Sequence, residues 1–316
     1  MKKFDLLKHY SIRERKKFPF VALLLFLPFL QFAIFYVFVN VNSLFVAFQD
    51  NDGAYTIVNF QRVFQGFFGE TPLLRFELLR SFITWLVTNV VLFPLSIVFS
   101  YALFKKIPAH MVFRVILYLP TMLGGVVMVK LYKYLLDYNG PIITLLTALG
   151  SNLSPEVLQS GLFGSNSTAF PAILSYGIWI GAGSNTVILT GALVRIPHEV
   201  FEASKLDGVG FFREFFDIAI PMIYPTLNTI LIFSMAAIFT ADSGTFLFTT
   251  NGGYNTSTIG FRLFYEVYLI SNAGVGNGNT AYGYPAALGL VISAITIPIV
   301  LFMRRVLEKH LEAVGY

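Results

Sequence analysis

Asp242 sits with Thr240, Ser243, Gly244 and Thr245 inside a run that is otherwise apolar from Met222 to Thr249. An ionisable group within a membrane-length apolar run is expensive, so it faces a partner group or a water-filled cavity. Two uses stay open: a polar lining that hydrogen-bonds a solute or forms a gate, or a structural hydrogen bond to a neighbouring helix. Asn185, between Ser184 and Thr186, repeats the pattern more weakly, while Asn89 and Asn228 suit bonds between helices. None of these groups makes a catalytic constellation. His9, His110, His198 and His310 are scattered and the chain has no cysteine, which gives no support to a metal site, a disulfide or a thiol nucleophile. No Gly-x-x-x-x-Gly-Lys-Ser/Thr phosphate loop occurs, so this chain supplies no nucleotide site of that kind. A membrane-embedded glycosyl or phosphoryl transferase working on lipid-linked substrates would need carboxylates or histidines clustered at one membrane face, and no such cluster is visible.

The elements that position these groups are apolar helices. The sequence has 316 residues, 56% of them hydrophobic and 12% charged, with a mean hydropathy of +0.70. Water-soluble domains carry about 25% charged residues. Apolar runs bounded by charged clusters predict an all-α, polytopic membrane protein with about six spans: Phe18 to Val39, Ser81 to Phe104, Met111 to Leu136, Ala169 to Leu193, Met222 to Thr249 and Tyr284 to Met303. The first run is too long for a signal-peptide core and lacks a small-residue cleavage site, so it is expected to be retained. More polar segments separate the spans, with Asp50 to Glu77, Ile142 to Thr168 and Asn251 to Gly283 on one side. The other side holds most of the basic residues: the N-terminal segment 1–17, Lys105 and Lys106, the stretch after Arg195, and Arg304, Arg305 and Lys309. The positive-inside rule then puts both termini in the cytoplasm. The net charge of +5 lies beside apolar runs and forms no continuous stripe, so no nucleic-acid partner is expected. The division is a basic cytoplasmic segment, 1–17, and a single transmembrane domain, 18–316.

Between spans four and five lies an amphipathic stretch, about residues 194–221. Pro197 suits the first turn of a helix, Glu199 and Glu202 suit its positive end, and Asp207 with Gly208 breaks it. Phe211, Phe212, Phe215, Phe216 and Ile218 then form an apolar stripe beside Arg213, Glu214 and Asp217, which predicts a second short helix. The result is a cytoplasmic helix-turn-helix whose small residues Ala203, Ser204 and Gly208 leave a low spot for another protein.

Here the sequence resembles the permease subunits of binding-protein-dependent ABC importers of the maltose, or oligosaccharide, type. Their coupling-loop pattern, Glu-Ala-Ala-x-x-Asp-Gly-Ala followed by Phe, Ile, Pro and Pro at fixed offsets, is matched by Glu202, Ala203, Ser204, Asp207, Gly208, Val209, Phe215, Ile218, Pro221 and Pro225, with Ser204 and Val209 in place of alanines. Arg114 to Pro120, Val58 to Phe64 and Thr250 to Gly253 also resemble family segments, with Tyr254 where proline is usual. The resemblance implies a non-catalytic subunit in the plasma, or inner, membrane of a prokaryote. It pairs with a second, similar permease, docks two ATP-binding-cassette subunits under the coupling loop, and receives solute from an extracellular binding protein. ATP and Mg would then be bound by the partner ATPases, with no cofactor on this chain. Glu202, Ala203, Ser204, Asp207, Gly208, Phe215 and Pro221 would serve coupling, and Asp242, Ser243, Thr245 and Asn185 the substrate path. The expected solute is a carbohydrate, with another solute such as glycerol phosphate as the alternative. Aromatic rings and hydrogen-bonding groups suit sugars, although most of the 34 Phe and 16 Tyr serve lipid contact and packing.

Overall fold

The computed structural model describes residues 18–50, 52–151, 153–273 and 281–313; the basic segment 1–17 lies outside the described residues. Among the described residues five helices are long and apolar enough to cross a membrane: α1 (Pro19–Ala47), α3 (Leu73–Phe104), α8 (Ala169–Val194), α10 (Phe211–Ala236) and α13 (Gly283–Ala313). A sixth candidate is the bent pair α4 (His110–Met122) and α5 (Gly125–Leu135). Shorter helices complete the described chain: α2 (Val58–Phe68), α6 (Pro141–Ala148), α7 (Pro155–Ser160), α9 (His198–Leu206), α11 (Thr245–Thr249) and α12 (Ile259–Ala273). Among the described residues no strand forms beyond a single antiparallel bridge between Gln49 and Tyr55.

Two of the long helices contain a wide π turn where proline would disrupt an α-helix. Proline lacks an N–H, and its ring presses on the carbonyl four residues earlier. Pro94 is preceded by the π turn Thr88–Leu92 and Pro221 by the π turn Phe215–Ala219. Each wider turn contains the threatened carbonyl, so the helix continues past the proline.

The third apolar run is not one straight span, contrary to the sequence expectation of Met111 to Leu136. After Pro120 the backbone becomes extended at Leu123 and Gly124, and α5 leaves at 114° to α4. Glycine at 124 and 125 favours a break because it loses more conformational entropy in a helix than other residues. The fifth span also differs. Its helix begins at Phe211 and ends at Ala236, where Met222 to Thr249 was expected. The second arm of the predicted helix-turn-helix is therefore the beginning of the spanning helix itself. Past Ala236 the chain closes short turns from Ile238 to Met235 and from Thr240 to Ala237. Gly260 of α12 packs so closely on the Thr240 carbonyl that a Cβ there would stand 2.2 Å from it.

Packing divides the bundle into two ends. At one, Phe93, Tyr101, Leu189, Leu193, Phe201, Phe215 and Leu227 bring α3, α8, α9 and α10 into one core. At the other, Ala47, Val63, Leu74, Ile259 and Leu288 join α1, α2, α3, α12 and α13. Between them α8 closes tightly on α4: a Cβ on Gly183 would lie 2.0 Å from the Leu117 carbonyl oxygen. Small residues permit this approach, as membrane helices require when packing has no hydrophobic drive. By contrast, the most apolar window of α1 has none of its residues buried, and the helix touches the rest of the bundle mainly through Val46 and Ala47.

Candidate functional site

Two features could do work: a finger at the end where α8 and α10 meet, and a groove between α3, α8 and α10. The finger is α9 and the turn into α10. Pro197 occupies the N-cap position of α9, and Glu199 lies in its first turn, where a carboxylate complements the helix dipole. At the other end Gly208 has φ +72°. Its N–H donates to the Lys205 carbonyl at 3.1 Å, and the Val209 N–H donates to the Ser204 carbonyl at 3.0 Å, the paired bonds of a Schellman cap. The left-handed backbone there favours glycine, whereas a Cβ at this position would meet only open space.

The residues of the sequence motif divide between two faces. Glu202, Ala203, Asp207 and Gly208 are exposed, as is Leu206 at 89%. Glu202 makes one surface contact, with His198 Nδ1 at 3.0 Å. Ser204 turns inward and donates to the Phe201 carbonyl at 2.9 Å, and Phe215 is buried beside Phe201. Pro221 follows the π turn in α10. Exposed motif residues thus form a tip, and buried ones fasten it. The apolar stripe expected over residues 211–218 also splits, since Phe212 and Phe216 face outward while Glu214 is buried. Glu214 receives a hydrogen bond from Tyr101 and pairs with Lys105. Sequence periodicity alone puts it on the polar side of a surface helix.

The groove has a volume of about 410 Å³ and is lined by Trp85, Asn89, Asn185, Ile188, Phe233 and Ser234, among others. Trp85 Nε1 donates to the Ser234 carbonyl at 2.9 Å, and the Ser234 hydroxyl donates to Asn89 Oδ1 at 2.7 Å. Asn89 therefore bonds across helices as expected. Asn228 does not: its Oδ1 is buried without a partner among the described residues. Asn185 has no side-chain hydrogen bond to a described residue and faces the groove.

Asp242 lies outside any helix, beyond the end of α10, and not within a span. Its Oδ2 accepts from the backbone N–H groups of Gly244 and Thr245 at 2.8 and 3.0 Å. Its Oδ1 accepts from the hydroxyls of Thr245 and Thr258 at 2.6 and 2.8 Å. The carboxylate thereby caps α11 and ties it to the start of α12. Thr245 is buried, and Ser243 packs on the span-four backbone at Gly177. The structure does not bring these three together with Asn185 in the groove. A second carboxylate missed in the sequence lies at the same end: Glu77, 2% exposed, accepts from Arg262 Nε at 3.1 Å and from the Ser257 hydroxyl at 2.8 Å. The hydrogen bonds from Arg262 to Glu77 push the Arg262 pKa up, against the opposing effect of burial.

No protein-family model matches the chain. Over 218 residues it is 28% identical to the multiple sugar-binding transport system permease protein MsmF of Streptococcus mutans, covering 69% of this chain and 70% of that protein. Over 303 residues it is 27% identical to the diacetylchitobiose uptake system permease protein NgcF of Streptomyces coelicolor, covering 90% and 82% respectively. In fold it is similar to a chain of a bacterial ABC transporter involved in import of the acidic polysaccharide alginate, with a TM-score of 0.73, 18% identity and coverage of 93% and 96%. Similarity running through most of the sequence, together with the shared helical architecture, makes this multi-pass membrane protein a homologue of the permease subunits of sugar ABC transport systems.

Proposed function

We propose that this chain forms half of the translocation pathway of an ATP-driven carbohydrate importer and that its finger takes motion from separate ATPase subunits. One observation carries the reading: the tip residues Glu202, Ala203, Leu206, Asp207 and Gly208 stand exposed, while Phe201 and Phe215 fasten both arms into the helix core. A push on such a tip reaches α8 and α10 as rigid-body motion, and tilting of packed helices is a common route of alternating access. Glu202 would seat in a cleft of the ATPase, with ATP and Mg held there and not on this chain. The finger end would face the cytoplasm of a prokaryotic cell, as would both termini. That assignment rests on the basic residues gathered near it, Lys105, Lys106, Arg195, Arg304 and Arg305. The segment 1–17 would be a cytoplasmic extension and 18–316 one permease domain.

A second permease would complete the pathway. The long exposed apolar face of α1 suits lipid on part of its surface and a neighbouring permease on the rest. The groove beside Asn185 would then line the pathway, where Trp85, Phe93 and Phe233 offer rings for stacking and Asn185 offers an amide for hydroxyl groups. A carbohydrate is also what the names of the similar permeases indicate. An extracellular binding protein would deliver it to the opposite end, where Asp242, Ser243 and Thr245 would hold the outer mouth in shape.

The test is reconstitution with the partner permease, two ATPase subunits and the binding protein. Loaded binding protein should stimulate ATP hydrolysis and drive uptake of labelled oligosaccharide, and Asn185→Ala should reduce uptake. Uptake of glycerol phosphate but no saccharide would refute the substrate class, and uptake without ATPase subunits would refute the importer reading.

A further inference from the structure

α8 and α10 are joined to the finger by the chain itself, whereas α3 reaches it through side chains: Tyr101 and Phe104 pack on Phe211, Phe215 and Phe201, and a polar contact stands beside them. The Tyr101 hydroxyl of α3 donates to Glu214 Oε1 at 3.0 Å, and Lys105, just past the end of α3, forms an ion pair with the same oxygen. Glu214 is 4% exposed. The Lys105 ammonium also stands 4.9 Å from the centre of the Phe201 ring. Phe201 belongs to α9, and Glu214 to the start of α10. The end of α3 therefore holds both arms of the finger.

We propose that Lys105 and Glu214 are positioning residues that lock α3 to the finger, so that α3 moves with α8 and α10 when the finger is driven. This rests on the coupling reading of the finger. Aromatic packing around Phe201 and Phe215 is largely non-directional and permits helices to slide. A charge-assisted bond, reinforced by the Tyr101 hydroxyl, fixes the register. α3 carries Trp85 and Asn89, which already bond Ser234 of α10 on the groove wall; the lock adds a second tie at the finger end, which holds α3 in register with α10 at both places.

The experiment uses the complete transporter, with solute transported per ATP hydrolysed as the readout. Lys105→Met keeps the apolar stem beside Phe201 and leaves Glu214 its Tyr101 hydrogen bond, so the complex should assemble. Solute per ATP should fall by about fivefold or more, the range of ordinary coupling energies. Exchanging the pair, Lys105→Glu with Glu214→Lys, should recover most of that loss, which a merely damaged fold would not. Because the chain has no native cysteine, cysteines at both positions can also be joined by a short bifunctional thiosulfonate. The cross-linked transporter should remain coupled, and this result decides the matter if the substituted chains fail to assemble. Wild-type coupling in Lys105→Met, no recovery in the exchanged pair, or arrest by the cross-link that a reductant relieves would each overturn the lock. Glu202→Ala and Gly208→Ala measured in parallel separate the two claims: normal coupling in those variants refutes the coupling finger, whereas normal coupling in Lys105→Met alone refutes only the lock.

Discussion

At the finger end, Glu202 and Asp207 stand in solvent, Glu202 with one surface contact to His198. At the opposite end, Glu77 and Asp242 are surrounded by donors from their own chain, reached across 185 residues in the case of Arg262 and 16 in the case of Thr258. A carboxylate whose lone pairs are already filled inside the chain stabilises architecture, while one left in water is available to another protein. The difference marks Glu77 and Asp242 as internal braces, as Glu214 is behind the finger, and leaves Glu202 and Asp207 free for the ATPase contact proposed above. It also changes the standing of Asp242, whose charge is spent on four internal hydrogen bonds before any solute arrives.

The comparison is most easily broken at Glu77. Replacing it with alanine leaves Arg262 with Glu266 as its one carboxylate among the described residues, and loss of a buried partner from such a pair typically costs about 3 kcal/mol. Thermal unfolding in detergent should show a large drop in midpoint, and an unchanged midpoint would remove the bracing role. Asp242→Ala should cost about 2 kcal/mol, the scale of hydrogen bonds to a charged group. Limited proteolysis should open the segment from α11 to α12 before the rest of the bundle. Full stability with lost uptake would instead return Asp242 to the solute path. At the finger, Gly208→Ala keeps the space but strains a left-handed residue by about 1 kcal/mol, so stability should change little while coupling falls. Smallest in stability is Glu202→Gln, expected within about 0.5 kcal/mol of the parent protein. Its solute transported per ATP should still drop, and an unaltered ratio would leave the exposed tip without a role.

The sequence made the spans and the finger turn readable for different reasons. Apolar run length locates a helix in a bilayer, and Asp207-Gly208 names a cap by residue type. Run length carries no direction, however. The bend at Leu123 and Gly124 and the stop at Ala236 both fall within runs that remain apolar on either side. Asp242 consequently reads as a residue inside a span when it lies past its end. Glu214 is misplaced by helical periodicity, which groups it with Arg213 and Asp217, whereas its real partners, Tyr101 and Lys105, are more than a hundred residues away in sequence. Arg213 and Asp217 do meet at the surface as an i,i+4 pair, which is the part of the pattern that local spacing can read. The inward turn of Ser204 is hidden similarly, since a small polar residue suits either face of a short helix.

The sidedness of the finger is open to one direct measurement: the accessibility of a single cysteine at Ala203→Cys, in a chain that has no other cysteine. A membrane-impermeant maleimide should leave intact cells unlabelled at this position and label inverted membrane vesicles stripped of the ATPase subunits, with protection when those subunits are added back. Labelling in intact cells, or labelling of inverted vesicles that the ATPase does nothing to block, would contradict a cytoplasmic finger seated on an ATPase.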